Sequence, residues 1–257
     1  MAALMTTSRP ALADHLAALG VVAGMDVVVH SKLISFGRID GGAETVLAAL
    51  RTAVGPAGTL VFPSYTFDTA DNIYDPGASP STGVGALSEL ARCQPGTVRS
   101  LCPIHNHVAL GPRAAVLTES QPSVSLGPGS DFDMLHRAGF HLLLLGCSFD
   151  EGATFLHHME AVAQVPYRRW LPLERRLLDP ADGLERTMIC RYYGSTGQSM
   201  TTRFDVMIEP LRTSGCLSEA RAPYGPSYRV DLDNLYHCAY RLLAGCPLAL
   251  AIPDGVS

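Results

Sequence analysis

The chain has 257 residues, 47% of them hydrophobic, and a formal net charge of −5. That length and apolar content suit one large domain or two small ones, and no basic surface argues for nucleic acid. The seven cysteines, Cys93, Cys102, Cys147, Cys190, Cys216, Cys238 and Cys246, are widely spaced and contain no Cys-x-x-Cys pair. This spacing argues against a disulfide framework or a zinc finger and points to a reducing cytoplasm. No basic segment leads into an apolar run at the N-terminus, and no stretch reaches about 18 uninterrupted apolar residues. Neither a signal peptide nor a membrane span is expected. The basic residues are arginines apart from Lys32, which carries the only side-chain primary amine. A mildly acidic surface tolerates a cationic substrate.

In chain order, Leu12, Leu16 and Leu19 recur at helical spacing, so residues 9–20 read as an amphipathic helix stopped at Gly20. Val27-Val28-Val29 reads as a buried strand ending in His30–Gly37. Ala43–Val54 is a second helix, Gly55–Gly58 a turn, and Thr59–Pro63 the next strand, continuing into Ser64–Phe67. Strand, helix, strand with short turns is the pattern of an α/β unit with a parallel strand pair. Ligands in such folds sit at the carboxyl ends of strands, where both His30–Gly37 and Ser64–Phe67 lie.

Residues 68–82 read as a loop crowded with Asp68, Asp71 and Asp75: either a solvated connection or an acidic rim for an amine. A helix follows at 83–92, then a turn at Pro95-Gly96. His105 and His107 alternate, which on a strand places both on one face. They lack an obvious third ligand, so no metal is expected. Residues 112–118 and Met134–Ala138 read as short helices before the strand Leu142–Leu145. After a polar turn, Ser148–Gly152, the helical stretch Thr154–Ala163 contains His157 and Glu160, which share a face at i and i+3. An imidazole held by a carboxylate is a common general-base arrangement; the bland alternative is a helix start that happens to carry histidines.

Beyond Gln164 the signal weakens. Arg168-Arg169-Trp170 and Arg175-Arg176 read as a solvated face, Thr187–Tyr193 and Phe204–Glu209 as strands, Leu235–Leu243 as a helix, and Leu248–Ile252 as a short apolar segment. With no repeat or linker, residues 1–257 read as a single domain.

Seven stretches in order resemble the aminoglycoside 3-N-acetyltransferase family, which is separate from the GNAT acetyltransferases. They are His30-Ser31-x-Leu33-x-x-x-Gly37, Gly41-Gly42, Gly58-Thr59-Leu60-Val61-x-Pro63-x-Tyr65-Thr66, Gly83-x-Gly85-x-Leu87-x-Glu89, Pro95–Ser100, Pro103-x-His105 and Thr154-x-Leu156-His157-x-x-Glu160. They cover about residues 25–165; residues 166–257 diverge. The sequence departs from the common pattern at Lys32, where such relatives commonly have Ser, and at Cys102, where they commonly have His.

The resemblance implies a single-domain α/β sandwich and acetyl transfer from acetyl-CoA to an amine of an aminoglycoside-like antibiotic, with no metal. His157 would be the base and Glu160 its support, because an ammonium cannot attack a thioester. Thr66 is the first candidate for an oxyanion donor and Thr154 the second. Ser31, Lys32, Leu33, Ser35, Phe36 and Gly37, with Arg99 and Ser100, would line the coenzyme path, although a structural ion pair is an equal reading of Arg99. Tyr65, Asp68, Asp71, Asp75 and Glu151 would face the acceptor. The departures keep open N-acylation of another amine in secondary metabolism, with another acyl-CoA or a carrier-protein thioester as donor. A non-catalytic coenzyme-binding protein fits poorly with an intact His157/Glu160 pair, and a Cys102 or Cys147 hydrolase lacks a nucleophile elbow. Neither nucleic acid nor membrane is expected as a partner; a homodimer is compatible with the reading.

Overall fold

The computed structural model describes residues 5–68, 72–197 and 199–254. The chain opens with β1 (Thr6–Thr7) and α1 (Arg9–Ala18), whose N-terminus is capped by the Ser8 side chain. β2 (Val27–Ser31) leads into a 3-10 turn at Leu33–Phe36, then β3 (Arg38–Ile39), α2 (Gly42–Val54) and β4 (Leu60–Pro63). The short β5 (Ile73–Tyr74), α3 (Ala86–Arg92), β6 (Val98–Arg99) and β7 (His107–Leu110) follow. A 3-10 segment at Ala114–Thr118 precedes α4 (Asp131–Arg137), β8 (His141–Leu145), α5 (Phe149–Gly152) and α6 (Phe155–Ala163). Next come a long hairpin of β9 (Arg168–Leu178) and β10 (Glu185–Ser195), then β11 (Met200–Thr202) and α7 (Ile208–Thr213). The chain ends with the hairpin β12 (Leu217–Ala222) and β13 (Gly225–Asp231), α8 (Leu232–Gly245) and β14 (Ala251–Pro253).

The architecture follows from the two-residue period of the strands. A seven-stranded mixed sheet runs in the order β12-β13-β8-β2-β4-β7-β6. Its centre is parallel, with Val28 opposite Leu142 and Val61, while β7 and β13 are antiparallel to their neighbours. Val28, Val61, Leu142 and Leu144 project to one face and pack against α4, α6 and α8 through Phe132, Leu156, Met159 and Leu235. Val27, Val29, Phe62, Leu143 and Leu145 project to the other face, against Leu12 and Leu16 of α1 and Leu47 and Leu50 of α2. Helices on both faces of one sheet bury apolar runs from both sides, as parallel strands require, and make the expected α/β sandwich.

Several local expectations need correction. Phe204–Glu209 is not a strand: it is a 3-10 turn, Phe204–Met207, running into α7. Arg168–Trp170 and Arg175-Arg176 belong to β9, where Arg169 is exposed and the other four are half-buried. The hairpin of β12 and β13 carries Ser218, Glu219, Arg221, Ser227 and Arg229 among its residues, so it shows little apolar signal, yet it forms one edge of the main sheet. Residues 83–85 precede α3 rather than belonging to it.

Candidate active site

A cleft of about 480 Å³ opens where β2, β4 and β8 end. His30 and Ser31 at the end of β2 line it with Lys32 and Leu33 just beyond, Pro63 ends β4 with Tyr65 just beyond, and Cys147, Glu151, Gly152 and Thr154 come from the segment after β8. Phe67 and Thr82–Gly85 complete the wall. The position is that expected of ligand sites in open α/β sheets. A second hollow of about 430 Å³, between Arg113 and Arg137, has no imidazole in its lining.

Close packing brings the cleft walls together. Gly146 follows β8 at φ 76°, and a Cβ there would meet Phe36 Cε2 at 2.8 Å and the Lys32 carbonyl at 2.9 Å. Only glycine permits both the conformation and the approach. The Lys32 amide donates to the Leu145 carbonyl at 3.0 Å. Beyond this turn, Ser148 and Glu151 form a reciprocal capping box on α5. Glu151 thereby faces Lys32, and the two side chains form an exposed ion pair across the cleft wall. The hydrogen bond from Lys32 holds the Glu151 carboxyl below its usual range, and the same bond raises the Lys32 ammonium.

α6 starts at this wall. Thr154 lines the cleft, and His157 lies one helical turn along, its amide bonded to the Thr154 carbonyl at 2.9 Å. His157 Nδ1 lies 2.7 Å from Glu160 Oε2. His157 is partly exposed, whereas Glu160 is fully buried. A buried carboxylate must be paired and hydrogen-bonded. Here Tyr167 Oη donates to Oε1 at 2.8 Å, and Arg168 Nε lies 2.7 Å from Oε2. The Phe204 ring packs edge-on against His157 at 4.9 Å. This arrangement can hold His157 with Nδ1 protonated and Nε2 available as a base.

The other predicted residues divide into two groups. Ser31, Lys32, Leu33, Tyr65 and Glu151 line the cleft with Thr154. Burial raises the Tyr65 phenol, opposed in part by the Thr154 hydroxyl. Asp68 is exposed just past Phe67 and accepts from Thr82 Oγ1 at 2.7 Å, which ties it to the cleft wall. Asp71 lies outside the described residues.

The second group does not line the cleft. Thr66 is buried; its hydroxyl donates to the Pro103 carbonyl at 3.0 Å and accepts from Asn106 Nδ2 at 2.8 Å, so its proton is committed away from any oxyanion. Among the described residues Arg99 makes no ion pair, and it does not line the cleft. Its guanidinium ties together the carbonyls of Ser64 and Ser79 and the Asn106 side chain, at 2.8, 2.5 and 2.9 Å. Ser100 is buried and donates to Asp131 at 2.5 Å. Ser35 and Phe36 are buried and do not line the cleft, and Gly37 approaches the Met5 backbone. Asp75 caps its own turn by accepting from the Gly77 and Ala78 amides.

Tyr167, Arg168 and Phe204 are the neighbours that sequence reasoning missed. A signal existed for the first two: they follow the α6 terminus within eight residues of Glu160, close enough to fold back on it. His105 and His107 are both buried; His105 bonds Ser125 Oγ at 2.6 Å and His107 bonds Asp131 at 2.9 Å. Among the described residues, no group of three or more His, Cys, Asp or Glu side chains is placed to hold a metal ion.

Residues 28–244 match a family model described as aminoglycoside 3-N-acetyltransferase. The match passes well beyond residue 165, where the sequence motifs fade. An aminoglycoside N(3)-acetyltransferase III of Salmonella sp is 36% identical over 190 residues, spanning 66% of each chain. The chain thus aligns with just under two thirds of that relative. An aminoglycoside N(3)-acetyltransferase IX of Micromonospora chalcea is 29% identical over 258 residues, 90% of this chain and 92% of its own. Among solved structures, AAC-IIIb in binary complex with CoASH superposes with a TM-score of 0.81 at 28% identity, over 94% of this chain and 97% of its own. The apoenzyme of aminoglycoside acetyltransferase AAC(3)-IVa gives 0.82 at 27% identity, over 97% and 93%.

Proposed function

The chain belongs to the aminoglycoside 3-N-acetyltransferase family, and from that premise we propose that it transfers the acetyl group of acetyl-CoA to a primary amine of an aminoglycoside, a reaction that confers antibiotic resistance. The observation that carries the mechanism is a buried Glu160 holding His157 Nδ1 at 2.7 Å, one helical turn from the cleft. His157 Nε2 removes a proton from the attacking nitrogen as its lone pair adds to the thioester carbonyl. The C–S bond then breaks, the imidazolium returns the proton to the leaving thiolate, and an amide and CoASH result. Glu160 stabilises the imidazolium through Nδ1–H.

The developing oxyanion needs a donor at the cleft; the Thr154 hydroxyl takes that role in place of Thr66. Ser31, Lys32 and Leu33 receive the coenzyme, with Lys32 as counter-charge for a phosphate. Tyr65, Asp68 and Glu151 face the polycationic acceptor. The donor assignment draws support from the CoASH complex of AAC-IIIb. The names of the relatives favour an aminoglycoside acceptor over another amine or a carrier-protein donor.

The whole chain acts as one acyltransferase domain, since both apolar layers cover the same sheet. No helix among the described residues is long and apolar enough to cross a membrane. We place the reaction in the cytoplasm, on a small molecule rather than on nucleic acid or a membrane. The site is built within one chain, so the chemistry suits a monomer or a homodimer. The test is His157→Ala, for which turnover should fall by about 10²-fold or more, the usual cost of losing a general base. Near-normal turnover would remove His157 from the mechanism.

A further inference from the structure

The geometry points to Arg168 as a positioning residue that keeps the Glu160 carboxylate ionised and so sets the proton affinity of the His157–Glu160 pair. The inference rests on the reading of that pair as the base. Arg168 Nε and His157 Nδ1 both lie 2.7 Å from the same oxygen, Glu160 Oε2. Glu160 has no exposed surface, and the Arg168 side chain is only 18% exposed. Water therefore cannot stabilise the carboxylate, and the guanidinium is the fixed positive charge that does.

The placement of Arg168 is built into the fold. α6 stops at Gln164 in the left-handed conformation, φ 52°, which turns the chain back toward Glu160. Tyr193 Oη of β10 donates to the Val165 carbonyl at 2.9 Å, and the Thr196 amide donates to the Tyr167 carbonyl at 3.2 Å. The long hairpin thus pins the turn that delivers Tyr167 and Arg168. The C-terminal part of the chain, whose sequence carries the weakest motif signal, supports the site from behind.

Two consequences follow from charge alone. With Arg168 present, Glu160 stays an acceptor and His157 Nδ1 must carry the proton, which leaves Nε2 free to act. Without it, the pair binds a proton more tightly and titrates as a unit. The titratable and charged groups around the pair are Arg168 and Tyr167 on Glu160, Tyr193 beside them, and His105, whose charge would act against that of His157. Of these, only Arg168 bears a permanent charge.

The experiment is NMR titration of isotope-labelled histidine in the full chain, with the His157 signal assigned by its absence in His157→Ala, alongside pH–rate profiles. In Arg168→Gln the His157 titration midpoint should rise by one unit or more, because the change removes both a like charge near the imidazolium and the counter-charge that competes for Glu160. The acid limb of the rate profile should move with it. Arg168→Lys, which keeps the charge, should restore the midpoint to near the wild-type position. A folded Arg168→Gln with an unmoved midpoint would overturn the inference. If that variant does not fold, Tyr167→Phe removes the hydroxyl that donates to Glu160 Oε1 and should give a smaller rise; no rise would overturn it equally. A midpoint that moves while the rate profile stays fixed would support Arg168 and refute His157 as the base.

Discussion

Acid should weaken this protein through histidines buried in the neutral form. His158 is fully buried between the Phe132 and Phe155 rings, at centroid distances of 6.1 and 5.1 Å. Burial, with a smaller contribution from His136, pushes its imidazole down to about 3 from an ordinary 6.5. The folded state therefore refuses a proton that the unfolded chain accepts between those values. Stability is complete above about pH 6.5, is lost as pH falls through that window, and stops falling near pH 3. At pH 5 an unfolded imidazole is about 97% protonated and the buried one about 1%, which corresponds to about 2 kcal/mol; at pH 7 the same linkage is about 0.2 kcal/mol. His30, also pushed down to about 3 by burial and then by His107, adds a similar amount. Together they remove about 4 kcal/mol between pH 7 and pH 5, a large part of a typical margin of 5–15 kcal/mol. Urea unfolding of the wild type and His158→Gln at both pH values isolates the first group. The variant should lose about 2 kcal/mol less than the wild type on going to pH 5. Equal losses would refute the assignment of His158 as a buried neutral group.

The oxyanion assignment separates two threonines. Thr66→Val should lower turnover less than tenfold, because its hydroxyl already serves Pro103 and Asn106; Thr154→Val should cost about 10²-fold if it is the donor. Steady-state kinetics on the two variants decides between them, and a larger loss at Thr66 would reverse the order. Lys32→Ala should weaken coenzyme binding several-fold by calorimetry, with less effect at high salt, where an exposed charge is screened. An unchanged affinity would confine Lys32 to its pair with Glu151.

The central sheet was legible because Val27–Val29, Leu60–Phe62 and Leu142–Leu145 are apolar on both faces, which only a doubly covered strand demands. The His157/Glu160 pair was legible because it is local: helical spacing alone brings the groups together. Long-range partners are not legible in this way. Arg99 looks like any basic residue near a strand end, and nothing local reveals that its partners are the carbonyls of Ser64 and Ser79. Thr66 sits at a strand end, as an oxyanion donor would, but the loop at Pro103–Asn106 covers it. Two adjacent arginines look solvated in sequence, yet Arg168 turns inward while Arg169 stays exposed. The hairpin of β12 and β13 was missed because polar residues dominate it.

The most direct test of the account is to incubate the purified chain with acetyl-CoA and a panel of aminoglycosides, following thiol release and product mass together. The account predicts stoichiometric release of CoASH, a gain of one acetyl group on an aminoglycoside, and loss of both signals in His157→Ala. Coenzyme binding without an acetylated product across the panel would contradict the aminoglycoside acceptor, and undiminished product from His157→Ala would contradict the mechanism.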